Sequence, residues 1–199
     1  MINDLESLKA AIEDWLKRAD LAPAIPTFIS LAEARINRTL FSWQRQSQAT
    51  GTSSGGVIPI PADLYRLQSL LVPRGGQLVP VNPVPPSVAR GWDGGAQVYT
   101  TANGQYELSG KQDTDYVLDY WSRIRPLTDA EPSNWVLDWE PGLYLYGALI
   151  EATPYIQDDA RTAIWATQFQ TILDDCARCD EYTRYGNAPA MAVGGHATP

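Results

Sequence analysis

The sequence contains few of the residues with which most enzymes perform chemistry. Its 199 residues include two cysteines and one histidine. The histidine, His196, lies in a Gly- and Ala-rich C-terminal segment that gives no held geometry for acid–base catalysis or metal binding. Two cysteines are too few to indicate a disulfide framework. We therefore predict no catalytic residue, no cofactor and no metal.

Long apolar runs and a dense basic patch are also missing. No segment approaches the roughly 20 apolar residues of a membrane span, and the polar start, MINDLE, does not resemble a secretion signal. The net charge is −8, whereas nucleic-acid binders usually need clustered cations. The sequence thus predicts a cytoplasmic location without membrane attachment, and no tight binding of duplex DNA.

The familiar catalytic motifs are absent as well. There is no Gly-rich phosphate loop after a strand, no serine nucleophile elbow and no zinc-protease helix. Cys176 and Cys179 form a CxxC pair, but a structural zinc site needs four ligands and a redox pair sits at a helix N-terminus. Both cysteines instead continue an apolar stripe with Trp165, Phe169 and Ile172, which predicts core positions on a helix.

Acidic pairs and tryptophans keep a glycan-related function open. Seven tryptophans could stack on sugars, and a glycosidase would use two of the paired carboxylates at Asp138/Glu140, Asp158/Asp159 and Asp174/Asp175. These acids fall at predicted helix starts or on a solvated face, where the helix dipole and solvation explain them. A carbohydrate-binding module or glycoside hydrolase is therefore the weaker alternative.

Apolar residues recur at helical spacing towards both ends of the chain. The first helix should end near Asp20, before Pro23, and the second should run from an N-cap at Thr27, or less favourably Ser30, to about Trp43. A third, apolar nearly all round and therefore central, is predicted from about Trp139 to Thr153, with Asp138 and Pro141 at its start. The fourth should begin at Asp158 or Asp159 and extend to about Tyr185.

The middle of the chain has a β pattern. Residues 49–56 are predicted to form a loop, and residues 80–86 contain too many prolines for a central strand. Asn103-Gly104 is a hairpin signal. Short strands are expected at 57–60, 67–72, 77–81, 98–101, 106–108 and 116–124, with a helical turn at 87–92.

These patterns predict an α+β fold with a bundle of four long helices. The bundle would be formed by both ends of the chain, residues 1–48 and 131–185, with a β-rich insertion lobe at 49–130. Residues 186–199 lack periodicity and are expected to form a flexible tail. The apolar residues that could anchor such a tail to a partner are Tyr185, Met191 and Val193.

Arg35, Arg38 and Arg45 are the most basic local feature. They are predicted to share one face of the second helix. A stripe of three arginines is better suited to salt bridges within the chain, or to contacts with a neighbouring subunit, than to phosphate binding.

Several strings resemble one known family, the head–tail adaptor (connector) proteins of tailed bacteriophages. Residues 28–38, FISLAEARINR, are similar to the second helix of these adaptors, and residues 59–65, PIPADLY, to their β entry. Residues 120–129, YWSRIRPLTD, are similar to a strand exit of the form YxxxIxxLTD. The helical core of the family is resembled by NWVL at 134–137, LYLYGALIEA at 143–152 and PYIQDD at 154–159.

The resemblance implies a structural protein of the virion neck without enzymatic activity, assembled in the bacterial cytoplasm. It implies a homo-oligomeric ring, commonly dodecameric, between the portal and the tail or nozzle, through which genomic DNA passes without sequence-specific binding. An acidic or neutral channel wall would suit that passage, because attraction would hold the phosphates. Another neck or tail completion protein of the same particle is the alternative within this class.

Overall fold

The computed structural model describes residues 1–92, 94, 97–156 and 161–186. The chain divides into two compact units. The helical unit consists of Met1–Trp43 and Arg125–Pro199, and the β unit is Gln44–Ile124. Within the described residues, six α-helices are formed: α1 Leu5–Leu16, α2 Ile25–Thr39, α3 Pro86–Ala89, α4 Trp135–Trp139, α5 Pro141–Ala152 and α6 Arg161–Tyr185.

Helix α1 follows directly from its sequence. The Asp4 carboxylate accepts the backbone N–H of Ser7, and the Ser7 hydroxyl oxygen accepts the N–H of Asp4, which closes a capping box. Leu5, Leu8, Ile12 and Leu16 are buried, so the helical spacing of apolar residues at the start of the chain marks a core-facing stripe, as predicted. Lys17 ends the helix in a left-handed conformation, with φ of 55°.

Helix α2 begins earlier and ends earlier than predicted. Pro26 lies in its first turn, where a missing N–H costs nothing, so Thr27 is not the N-cap. Near its end the side chains of Asn37 and Thr39 donate to the carbonyls of Glu33 and Arg35. Such local bonds compete with continued helix. The backbone is extended at Leu40, so the predicted extension to Trp43 is wrong.

Helix α5 is the centre of the helical unit, as its apolar composition predicted. It packs against α1, α2, α4 and α6, and its buried residues are Leu143, Tyr144, Leu145, Gly147, Ala148, Leu149 and Ala152. Its start differs from the prediction, because Asn134 caps a separate short helix, α4, before Pro141 begins α5. The proposed caps of α6, Asp158 and Asp159, lie outside the described residues.

The predicted fold class is wrong. The chain is a mixed structure with two four-stranded sheets, and its helices are not a bundle of four long ones. Of the six helices in the described ranges, α6 has 25 residues, whereas α4 has five and α3 four. Two of the predicted long helices are shorter than expected, because α2 ends at Thr39 and α5 begins at Pro141. The described part of the chain has no helix long and apolar enough to cross a membrane.

The strands of the β unit form two sheets that share one core. They are β1 Gln46–Thr52, β2 Val57–Pro59, β3 Leu64–Arg74, β4 Gln77–Pro80, β5 Asn82–Pro83, β6 Val98–Ala102, β7 Gln105–Leu108 and β8 Asp115–Ser122. The orders are β1-β8-β3-β4 and β2-β7-β6-β5. Leu70 of β3 and Leu118 of β8 lie in one buried cluster with Ile58 of β2 and Tyr106 of β7, so the sheets pack against each other.

Strand β1 replaces the first half of the loop predicted at residues 49–56. It pairs with β8 over its whole length. Its core side carries small residues opposite large ones, and a Cβ added to Gly51 would lie 2.7 Å from the Tyr116 hydroxyl oxygen. The small and polar residues of β1 gave no strand signal in the sequence. Small residues are nevertheless needed there, because the aromatic side chains of β8 fill the space beside them.

The Asn-Gly hairpin is confirmed. Asn103 and Gly104 connect β6 to β7 with φ of 51° and 70°, as a type I′ turn needs. Gly75 and Gly76 do the same between β3 and β4, with φ of 60° and 80°. The Pro-rich segment contributes the last residue of β4 and the two-residue strand β5, and both strands lie at sheet edges, which agrees with the exclusion of a central strand.

Candidate interaction surfaces

A buried polar cluster joins the segments of the helical unit. The Asn134 side-chain oxygen accepts the N–H groups of Val136 and Leu137, which caps α4. Its amide nitrogen donates to the Tyr144 hydroxyl oxygen and to the Arg125 carbonyl, both at 2.7 Å. All four hydrogen bonds are made in buried or partly buried surroundings, where their loss is costly.

A second connection in this unit is made by Glu33 of α2. Its carboxylate accepts the backbone N–H of Leu127 at 2.7 Å, across 94 residues of sequence. Glu33, Leu127, Asn134 and Tyr144 belong to four of the strings that carry the family resemblance. These strings therefore hold the helical unit together, and sequence reasoning missed this role because the partners are distant in sequence.

The environment shifts the acidity of two of these groups. Burial raises the pKa of the Glu33 carboxyl, and the bond from Leu127 opposes this only in part. Burial also raises the pKa of the Tyr144 hydroxyl well above its ordinary value. At neutral pH Tyr144 is thus a neutral hydrogen-bonding group, and ionised Glu33 is less favourable in the folded than in the unfolded chain.

We expect Glu33→Gln to stabilise the protein at neutral pH. Glutamine keeps an oxygen for the Leu127 N–H but carries no charge to desolvate. Because folding raises the pKa of Glu33, its ionisation costs stability as pH rises through the unfolded and then the folded pKa. The gain in urea midpoint over the wild type should therefore be clear at pH 7, shrink as pH falls through the raised pKa of the folded chain, and be absent below about 4, near the ordinary pKa of glutamate.

Removal of one negative charge at an exposed position provides the control. Glu181→Gln on the exposed surface of α6 removes one negative charge without contacting the cluster. It should leave the difference in urea midpoint between acidic and neutral pH unaltered. A midpoint for Glu33→Gln that is lower than the wild type at pH 7 would show that the carboxylate charge itself stabilises the fold.

The three arginines do not share a face. Arg35 on α2 pairs with Glu151 on α5, with its Nη2 2.6 Å from the carboxylate. Arg38 is exposed and has no ion pair with the described residues. Arg45 lies beyond α2, in a 3₁₀ turn at Trp43–Arg45, and belongs to the β unit.

Arg45 is buried and makes its contacts inside the β unit. Its side chain is 1% exposed, its Nε donates to the Ser122 carbonyl at 2.9 Å, and its guanidinium lies over the ring of Tyr65. Burial lowers the pKa of this guanidinium. Arg45 is therefore unsuited to a surface contact, and the prediction of a shared helical face is wrong because α2 ends too early.

The cysteines divide between core and surface. Cys176 is buried, and burial raises the pKa of its thiol to about 12, which disfavours the reactive thiolate. Cys179 is exposed, so its predicted place in the apolar stripe is wrong; Leu173 completes the buried stripe with Trp165, Phe169 and Cys176. In the described ranges, no three His, Cys, Asp or Glu residues are grouped as a metal site requires.

Three carboxylates of the acidic pairs make local contacts, and the pair Asp158/Asp159 lies outside the described residues. Asp138 accepts the Ser133 hydroxyl, Asp174 accepts the Gln170 amide, and Asp175 pairs with Arg178 one turn along α6. Helix α6 ends at Tyr185. The other anchors suggested for the tail, Met191 and Val193, lie outside the described residues, as does His196.

The net charge is confined to one unit. The helical unit holds 9 of the 15 Lys and Arg residues and 17 of the 23 Asp and Glu residues, so it carries −8. The β unit holds six of each and is neutral. Sequence inspection without the unit boundaries could not reveal this division.

Comparison with known proteins identifies the family. No curated protein matches the chain. A model of the SU10 adaptor protein family matches residues 3–192, nearly the whole chain, and confirms the resemblance to phage adaptors. The chain therefore belongs to the SU10 adaptor protein family and is a structural phage adaptor protein.

Proposed function

We propose that this protein forms a homo-oligomeric ring between the portal and the tail or nozzle of a phage particle. The observation that carries the proposal is the family match over residues 3–192. The ring, commonly of twelve subunits, surrounds the channel through which genomic DNA passes. The protein would be assembled in the host cytoplasm and retained in the neck of the virion, where no catalysis is needed.

The charge division supports this arrangement. We propose that the helical unit, with its net charge of −8, supplies an acidic or neutral channel wall. Repulsion of phosphates prevents the wall from binding DNA during its passage. The neutral β unit suits contacts with other proteins, because two units without net charge do not repel each other when they meet.

Only one of the three arginines is available for subunit contacts. Arg35 is engaged by Glu151 and Arg45 is buried, whereas Arg38 is exposed. We therefore assign the candidate subunit contact to Arg38, with an acidic side chain of the neighbouring helical unit as its partner. Exposed carboxylates on α6, such as Asp174 and Glu181, have the required charge.

The last helix supports a role for the C-terminal segment in portal attachment. Residues 177–184 of α6 are exposed apart from half-buried Asp180 and Arg184, so this part of the helix has little core behind it. It leads into the segment that contains Met191 and Val193. We propose that this segment, with Tyr185, docks onto the portal.

Electron microscopy of the purified protein mixed with its portal tests the ring. The expected result is added density coaxial with the portal, with the rotational symmetry of a ring. An isolated subunit can remain monomeric, because a preformed portal ring pre-arranges the sites and raises the effective concentration. Portal rings without added density, or density away from the axis, would instead favour another neck or tail protein.

Truncation after Tyr185 tests the role of the C-terminal segment. The melting temperature should stay nearly unchanged, because the buried core residues in the described part of the helical unit all precede this position. Portal attachment should weaken, measured as occupancy of portal rings in micrographs or by co-sedimentation. Undiminished occupancy would mean that the surface of the described helices makes the contact.

A further inference from the structure

The β unit contains a pocket on the outer side of the sheet β2-β7-β6-β5. Thr100 of β6 and Glu107 of β7 are cross-strand partners in its wall. They alternate along their strands with Tyr99, Tyr106 and Leu108, which face the shared core. Helix α3 and Trp92 form the opposite wall, and the cavity volume is about 620 Å³. This size lies in the range of small-molecule sites.

The wall combines an aromatic ring with hydrogen-bonding groups of both kinds. The Trp92 side chain is 38% exposed. Arg90 and Lys111 bring donors, Glu107 brings a carboxylate acceptor, and the Asn103 amide offers both. A purely apolar ligand would leave these groups without partners. A phosphate would be attracted by the cations but repelled by Glu107.

The pocket wall also contains a buried hydroxyl, that of Thr100. Thr100 lines the pocket, the residue is 5% exposed, and its hydroxyl has no hydrogen-bond partner in the described structure. A buried hydroxyl without a partner costs about 1–3 kcal/mol. Rotation about the Cα–Cβ bond moves the hydroxyl to another staggered position, so a ligand that offers a partner can recover this cost.

We propose that this pocket binds one sugar ring of a neutral glycan. A pyranose has an apolar C–H face that can pack on the Trp92 ring, and hydroxyls that need donors and acceptors together. Arg90, Glu107 and the Thr100 hydroxyl meet that need. The site lies within the β unit and does not depend on the ring. If the ring forms, repeated copies raise a weak affinity by multivalency.

The proposal is tested by NMR on the full-length protein labelled with ¹⁵N. The probes are glucose, galactose, mannose and N-acetylglucosamine, each titrated separately, with inorganic phosphate as a further titrant. The Trp92 indole signal is assigned by its loss in Trp92→Phe. At least one sugar should shift this signal saturably with a Kd in the millimolar range, and Trp43→Phe, at an exposed tryptophan of the helical unit, should leave that Kd unchanged.

Thr100→Val separates ligand binding from folding. Valine has the same shape without the hydroxyl, so removal of the unpaired group should raise the melting temperature by about 2–4 °C. The same change should weaken sugar binding by about tenfold, as expected for one lost hydrogen bond. Reduced stability together with reduced binding would indicate a merely structural hydroxyl and overturn its assigned role.

Two outcomes overturn the sugar site itself. One is the absence of a saturable Trp92 shift with all four sugars. The other is a shift with phosphate alone, which would make the pocket an anion site built on Arg90 and Lys111. Neither outcome affects the ring proposal, because portal binding is measured separately.

Discussion

Gly147→Leu should destabilise the helical unit by about 3 kcal/mol or more, because its core has no room for a side chain at this position. Gly147 lies in the middle of α5. A Cβ added there would be 3.0 Å from the Cβ of Ala32 on α2 and 3.4 Å from the ring of Phe169 on α6. A leucine adds three further carbons in this space and forces neighbouring helices apart. The melting temperature, followed by far-UV circular dichroism, should fall by about 6–12 °C.

Gly142→Ala on the same helix is the matched control. A Cβ at Gly142 would meet the Cδ1 of Ile172 at 2.7 Å, the far end of a side chain that can rotate away. Alanine also favours helix over glycine by about 1 kcal/mol. The control should therefore change stability little or improve it. If Gly147→Leu melts like the control, α2 and α6 are not closely packed on α5.

The features that could be predicted from sequence are those with local causes. The α1 stripe depends on residues three and four apart, and the turn at Asn103 and Gly104 depends on the backbone preferences of two adjacent residues. The composition of α5 also sufficed to predict its central place. In each case the information lies within about one element of the chain.

The features that were missed depend on distant partners. Strand β1 is polar and gains its structure by pairing with β8, about 70 residues away. Helix α2 was predicted too long because the helical spacing of its apolar residues continues to Trp43, whereas the backbone is extended at Leu40, just after Asn37 and Thr39 bond to backbone carbonyls. These errors led to the prediction of a four-helix bundle. That prediction placed too many residues in long helices and too few in the two sheets.

The charged features of the candidate interaction surfaces could be predicted only in part. The net charge is a property of composition, but its confinement to the helical unit required the boundaries at Trp43 and Arg125. Arg45 appeared to extend the Arg35 face only while α2 was assumed to reach Trp43. The structure leaves Arg38 as the exposed member of the three.

Asn134→Ala should be the most damaging polar substitution in the helical unit. It removes the cap of α4, which typically contributes about 1 kcal/mol. It also removes the donors to the buried Tyr144 hydroxyl and to the Arg125 carbonyl, for which a cost of about 1–3 kcal/mol is typical. We expect a loss of about 2–4 kcal/mol in the free energy of unfolding, measured by urea denaturation.

A double-mutant cycle with Tyr144→Phe isolates the central hydrogen bond. Phenylalanine keeps the ring of Tyr144 in the core of α5 and removes only the hydroxyl, whose partner is the Asn134 amide at 2.7 Å. Once Tyr144→Phe is present, Asn134→Ala no longer leaves a buried hydroxyl without its donor, so its cost should fall by about 1 kcal/mol. Strictly additive costs would mean that this bond contributes nothing, and that the effect of Asn134 comes from its cap and its bond to Arg125 alone.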